Sequence, residues 1–203
     1  MAEPLAFVFP TYRGSGWPLW KLRIGVKLYD WLCSGRNLGP SSAMGRQPTL
    51  TLLPGLFDQS LTGAVRYFDG LTNDARLVFD TLRSAANHGA IVTNYCRLED
   101  ASPGPSGWTC RARDTESGRS LEIHSRSVAN ATGPWGAKLP HSRLHLRLTK
   151  GVHLVIARSR LPVSDAVVMT DDRRLLFAIP WGERVILGTT DTDYDGPIES
   201  VRT

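Results

Sequence analysis

The sequence is poor in cysteine: Cys33, Cys96 and Cys110 are the only three in 203 residues, far apart and without a CxxC pair. An odd, scattered set supports neither a disulfide framework nor a tetrahedral thiolate site, so no metal is expected and a reducing cytoplasm is the simplest setting. No stretch approaches the roughly 20 unbroken apolar residues that a membrane-spanning helix needs. The opening segment lacks a basic run ahead of an apolar core and soon meets Pro10 and Pro18, which argues against a secretory signal. P-loop, HExxH, GxSxG and GxGxxG patterns are absent as well; Gly14-Ser-Gly16 lacks the third glycine and precedes no crossover unit. Internal repeats and low-complexity tracts are also lacking. What is present, 41% apolar and 21% charged residues, excludes disorder and collagen and suits a globular chain of one domain, or one and a half. A net charge of +5 admits an anionic partner such as a phosphorylated metabolite, nucleic acid or acidic lipid, and does not choose among them.

Periodicity predicts a helix over Leu19–Cys33, where Trp20, Ile24, Leu28 and Trp31 recur at helical spacing beside Lys21, Arg23 and Lys27. Tryptophans and cations so arranged suit an interfacial membrane anchor, whereas Leu22, Val26 and Tyr29 broaden the stripe and favour an ordinary packed helix. Residues 35–54, rich in Gly, Ser and Pro, read as a long loop. A strand over Gly63–Phe68, a helix over Ala75–Asn87 capped by Thr72, Asn73 or Asp74, and a strand over Ala90–Leu98 have the size of a crossover unit joining parallel strands. Trp108–Asp114 and Arg119–His124 read as an antiparallel pair, and Ser127–Ala131 as a short strand entering the glycine turn Thr132–Gly136. Further strands are predicted at 147–148, 152–157, 166–169, 174–179 and 184–189, giving α/β with a sheet-rich second half.

Four stretches carry more. They are Asn73-Asp-Ala-Arg-Leu77, Val128-Ala-Asn-Ala-Thr-Gly-Pro-Trp135, Thr149-Lys-Gly-Val-His153, and Arg174-Leu-Leu-Phe-Ala-Ile-Pro-Trp181 followed by Gly188-Thr-Thr-Asp191. In conjunction, order and spacing they resemble the FAD-dependent glycerol-3-phosphate dehydrogenases, of the D-amino-acid-oxidase-like flavoprotein superfamily, over nearly the whole chain. The resemblance implies an α/β (α+β) fold: part of an FAD-binding Rossmann-like domain combined with a mostly antiparallel substrate-domain sheet. The domain organisation expected is a helix and loop region of the substrate side at 1–62, a partial FAD-binding domain with a small antiparallel insert at 63–140, and substrate-domain sheet at 141–203. That family opens with a GxGxxG βαβ unit and later carries a glycine-arginine segment, neither of which occurs in these residues. An interior portion of a longer enzyme is therefore expected, inactive by itself and not retaining FAD.

On this resemblance the parent enzyme is an oxidoreductase that converts sn-glycerol 3-phosphate to dihydroxyacetone phosphate with FAD as cofactor and passes electrons to quinone. His153 matches the family's active-site histidine, a group able to bind a hydroxyl proton near neutral pH; a buried structural role between Val152 and Leu154 is its plain alternative. Arg174 and Lys150 are the substrate-binding cations, the arginine offering a bidentate fork to a phosphate dianion. Ala131, Thr132, Gly133, Pro134 and Trp135 match the second dinucleotide-binding segment, and Arg97 and Leu98 the adenine side. The partners implied are glycerol 3-phosphate, quinone and an anionic membrane surface on the cytoplasmic face, with no nucleic acid. A stand-alone binding module, or a superfamily oxidoreductase acting on another substrate such as an amino acid, are the competing readings; the KGVH and RLLFAIPW stretches favour the phosphate-using branch.

Overall fold

The computed structural model describes residues 2–139, 141–171 and 174–201, with the backbone alone at Asp171 and Arg174. In chain order the elements are β1 (Ala2–Tyr12), α1 (Leu19–Leu32), β2 (Ser42–Gly45), α2 (Arg46–Leu52), β3 (Leu61–Thr72), α3 (Asp74–Asn87), β4 (Cys96–Gly104), β5 (Gly107–Asp114), β6 (Ser120–Ser125), β7 (Thr149–Lys150), β8 (Leu154–Ala157), β9 (Ala166–Asp171), β10 (Arg174–Trp181), β11 (Arg184–Gly188) and β12 (Thr192–Asp193). They divide into two compact units, residues 1–77 with 150–192, and residues 78–149 with 193–203.

The first unit is built on a seven-stranded sheet in the order β2-β3-β1-β9-β10-β11-β8. All its neighbours are antiparallel except β1 and β9, which run parallel and pair at Phe7↔Ala166 and Val8↔Val167. β1 escapes sequence reading because Pro4 and Pro10 interrupt it. Residues an even number apart direct their amide positions to the same strand edge, so both prolines omit a donor on one side. The β9 pairing lies between them, and neither proline takes part in it. Val8, Leu53, Ala64, Val163, Val167, Ala178 and Val185 form the core of the unit. Each fully buried valine contributes roughly 1.5–3 kcal/mol of apolar transfer. Gly63, at φ +148°, lets β2 approach β3: a Cβ there would overlap the Met44 carbonyl oxygen.

The segment read as a loop over 35–54 contains β2 and α2. Four and seven residues are too few to display a period, and Pro48 falls in the first turn of α2, where its missing N–H leaves no bond unmade. Thr49 is fully buried and its hydroxyl donates to the Gly45 carbonyl at 2.8 Å.

α1 runs from Leu19 to Leu32, close to the predicted span, and lies against β3. At its last turn Asp30 gathers the Asn37 amide at 2.6 Å, the Ser41 hydroxyl at 2.5 Å, the Ser41 N–H and the Lys27 ammonium. These bonds tie the following loop to the helix.

The second unit holds an antiparallel sheet in the order β4-β5-β6, with Ala101, Cys110 and Ala112 buried on one face. Asn73 caps α3, its side-chain oxygen accepting the Arg76 N–H at 3.0 Å. Three expectations are corrected, the first being the strand predicted at 147–148, where no strand begins before Thr149. The strand predicted at Ala90–Leu98 begins only at Cys96 and pairs antiparallel with β5, so it does not join β3 as a parallel neighbour. Tyr95, at φ +53°, breaks the extended path, and its carbonyl is held by the Thr115 N–H at 2.8 Å; Ile91 is 97% exposed. Ser127–Ala131 is not a strand either. There the chain is organised by the Asn130 side chain, which donates to the Gly136 carbonyl at 2.9 Å and accepts from the Thr132 hydroxyl at 2.8 Å.

Candidate functional site

The predicted site residues fall in both units. In the first, β8 is an edge strand whose Leu154 pairs with Leu187 of β11, so His153 and Gly188 meet just past the last pair. The His153 ring lies directly on the Gly188 Cα: a Cβ on Gly188 would overlap ring carbon Cδ2 and come within 2.9 Å of both Cγ and Nε2. Gly151 makes a second close approach, for a Cβ there would overlap the Thr189 hydroxyl and stand 3.0 Å from the Thr190 carbonyl. Hydrogen bonds run both ways between the two loops. The Val152 N–H donates to Thr190 Oγ1 at 3.0 Å, and the Thr190 N–H donates to the Val152 carbonyl at 3.4 Å. The Thr189 hydroxyl is turned back onto the Thr190 carbonyl at 2.8 Å.

The KGVH and GTTD stretches are thus one assembly. His153 is exposed, the expected substrate cation Lys150 is half-buried, and the Lys150 carbonyl accepts from the Thr192 hydroxyl at 3.4 Å. Gly188 pairs with Phe177 of β10, which places Arg174, three residues nearer the start of that strand, at the same end of the sheet and about 10 Å further along at roughly 3.3 Å per residue. The side chain of Arg174 lies outside the described residues. Sequence reading named His153, Lys150 and Arg174 but gave the glycines no part in seating the histidine; the signal was a glycine in each of the two motifs flanking β8 and β11.

In the second unit Ala131, Thr132, Gly133, Pro134 and Trp135 form an exposed turn leading into a 3-10 helix at Gly133–Lys138. Gly133 has φ +58° and open space where a Cβ would stand, so its backbone is approachable. The Thr132 N–H is already accepted by Asn130 Oδ1 at 3.3 Å and so is committed within the turn. Trp135 and Lys138 both donate to Glu199 Oε1, at 3.1 and 3.2 Å. A hydrogen bond from its own backbone, followed by those two donors, holds the Glu199 carboxyl below its usual value. Arg97 and Leu98 point to opposite faces of β4. Leu98 lines a cavity of about 220 Å³ with Asn130, Trp108 and His141, while Arg97 is exposed.

The surface of α1 differs from the packed helix favoured by its breadth of apolar residues. Leu19, Leu22 and Val26 are half-buried, no residue of the helix is fully buried, and Trp20, Ile24, Leu28 and Trp31 face outward at 61%, 61%, 52% and 73% exposure. Lys21 and Arg23 border that stripe, the former 5.7 Å from the centre of the Trp20 ring. Among the described residues no helix is long and apolar enough to cross a membrane.

Residues 6–202 match the family model described as DAO, FAD dependent oxidoreductase. The chain is 34% identical, over 96% of its length, to a Mycobacterium leprae protein named glycerol-3-phosphate dehydrogenase. It is 33% identical, over 97% of its length, to a Streptococcus pyogenes protein named alpha-glycerophosphate oxidase. It covers 34% of each, so it spans about a third of the length of these relatives. Among solved structures it resembles the glycerol-3-phosphate dehydrogenase of Bacillus halodurans complexed with FAD, with a TM-score of 0.76 and 28% identity over 100% of this chain and 37% of that one.

Proposed function

The chain belongs to the FAD dependent oxidoreductase family, and from that premise we propose that it is part of an enzyme that oxidises sn-glycerol 3-phosphate to dihydroxyacetone phosphate. The observation that carries this reading is the seating of His153 between two motifs at the sheet end that also bears Arg174. The names of the relatives at 33–34% identity support the substrate.

In this reading His153 accepts the proton of the substrate C2 hydroxyl at a ring nitrogen, and Arg174 and Lys150 bind the phosphate dianion and orient the carbon. When bound, FAD supplies the two-electron acceptor of the oxidation. The exposed turn at Ala131–Trp135 fits that group in part. Gly133 leaves room for the diphosphate, and Pro134 and Trp135 lie within the 3-10 helix that Gly133 opens, but the Thr132 N–H is committed to Asn130. Arg97 and Leu98 are the candidates for the adenine side. Quinone is the proposed electron acceptor, reached by peripheral attachment to an anionic membrane through α1.

A chimaera tests the reading. These 203 residues replace the matching third of the Mycobacterium leprae relative, and bound flavin is followed anaerobically. Reduction by sn-glycerol 3-phosphate is expected, with His153→Ala lowering turnover and Arg174→Ala raising KM. A folded, flavin-loaded chimaera reduced by an amino acid instead would replace the substrate assignment.

A further inference from the structure

We infer that Gly188 is a positioning residue for His153: the absence of its side chain creates the seat that fixes the imidazole, and Gly151 locks that seat by letting its loop close onto Thr189 and Thr190. The inference rests on the proposed role of His153 and adds the means by which its ring is held.

Three observations carry it. The three atoms nearest to a Cβ on Gly188 all belong to the His153 ring, so it is the imidazole that occupies the space such a side chain would need. Gly188 is not in the left-handed region, unlike Gly182 at φ +54°, so an alanine there meets no left-handed strain and its closest conflict is with the ring. The loop bearing His153 is fixed independently by the two bonds between Val152 and Thr190 and by the close approach at Gly151, so the ring cannot be relieved by a rigid shift of its backbone. His153 is exposed, however, and its side chain has solvent to swing into. A methyl at Gly188 therefore displaces the ring in preference to unfolding the strand. Gly151 differs, because there the methyl meets a backbone carbonyl at 3.0 Å and the loop itself must move.

For a group that takes a proton from a substrate hydroxyl, such a displacement is costly, since proton transfer needs heavy atoms about 2.6–3.2 Å apart. Gly188 would then matter to turnover without touching substrate.

The test is a double-mutant cycle in the 203-residue chain, read by thermal unfolding and by NMR of the histidine side chains. In the unsubstituted chain a nuclear Overhauser contact between His153 Hδ2 and the Gly188 Hα protons is expected. Gly188→Ala should abolish it and move the His153 ring resonances while those of His88, His124, His141 and His145 stay in place. His153→Ala should remove the conflict, so that Gly188→Ala lowers the unfolding temperature less in that background than in the wild type. Gly16→Ala, which meets open space, is the control. If Gly188→Ala leaves the His153 resonances unmoved, or its effect on unfolding is the same with and without the imidazole, the inference is overturned. In the flavin-loaded chimaera, Gly188→Ala should lower kcat with little change in KM, and adding it to His153→Ala should cost nothing more. If the cycle in the chain shows coupling but neither substitution changes turnover, Gly188 still seats the ring and it is the catalytic reading of His153 that fails.

Discussion

Trp135 and Glu199 are joined across 64 residues of sequence, the indole N–H donating to the carboxylate at 3.1 Å. Lys138 meets the same oxygen at 3.2 Å, so one exposed carboxylate holds the middle and the last residue of the 3-10 helix Gly133–Lys138. The folded carboxyl is held below its usual value, chiefly by its own backbone N–H. The bond is therefore intact above the ordinary carboxylate range and is lost as pH falls through the lower, folded value. Trp135 emission should shift between those limits, and Glu199→Gln should remove the shift. An unchanged acid titration in the glutamine variant would show that another group moves the indole.

Arg66 and Asp165 form an ion pair at 2.8 Å that pins β3 to the segment entering β9. Their side chains differ in exposure, 34% for the arginine and 12% for the aspartate, and the Arg66 guanidinium also lies 5.0 Å from the centre of the Phe68 ring. Removing Asp165 leaves a cation that can regain water, whereas removing Arg66 leaves a nearly buried anion without its partner. Arg66→Ala should therefore cost about 2–3 kcal/mol and Asp165→Ala about 1–2 kcal/mol. Chemical denaturation of the two variants measures the difference, and the reverse order would contradict the desolvation argument.

The parts of this fold that sequence reveals are those whose period is long enough to be read. α1, α3 and the strands from Ala166 to Gly188 follow their apolar spacing closely. β1 is hidden by its prolines, and β2 and α2 by their brevity. Ala90–Leu98 carries strand-forming residues, yet no strand forms before Cys96; β propensity expresses itself only where a neighbour is available to pair. At the candidate site the residue types of KGVH and GTTD were legible, but their meeting was not. Contact between loops 35 residues apart is decided by the pairing of β8 with β11, which depends on the whole sheet order.

The 203-residue chain should not retain stoichiometric FAD. Its exposed turn offers an approachable Gly133, but the Thr132 N–H is occupied by Asn130 and the residues contain no GxGxxG turn to hold a diphosphate. After incubation with excess FAD and gel filtration, the protein peak should carry far less than one flavin per chain by absorbance. A near-equimolar yellow peak would mean that the Ala131–Trp135 turn binds the cofactor without that motif.

The outward stripe of α1 leads to a prediction about membranes. Trp20, Ile24, Leu28 and Trp31 are exposed together, and Lys21 and Arg23 border them without an acidic partner among the described residues. Lys27 differs, since its ammonium is bound to Asp30 and to the Ser41 carbonyl and helps hold the loop after the helix. A test of surface binding must therefore leave Lys27 alone. Each cation near an anionic leaflet contributes about 1 kcal/mol, and rings at the headgroup level add an apolar term. Lys21→Glu with Arg23→Glu should thus weaken cosedimentation with vesicles containing phosphatidylserine by about tenfold or more, and raised salt should weaken the wild type in the same sense. Trp20→Ala with Trp31→Ala should weaken binding while leaving most of the salt dependence. If the double reversal preserves both the helix, judged by circular dichroism, and the vesicle binding, then α1 is covered by protein rather than lipid and its tryptophans are packing residues.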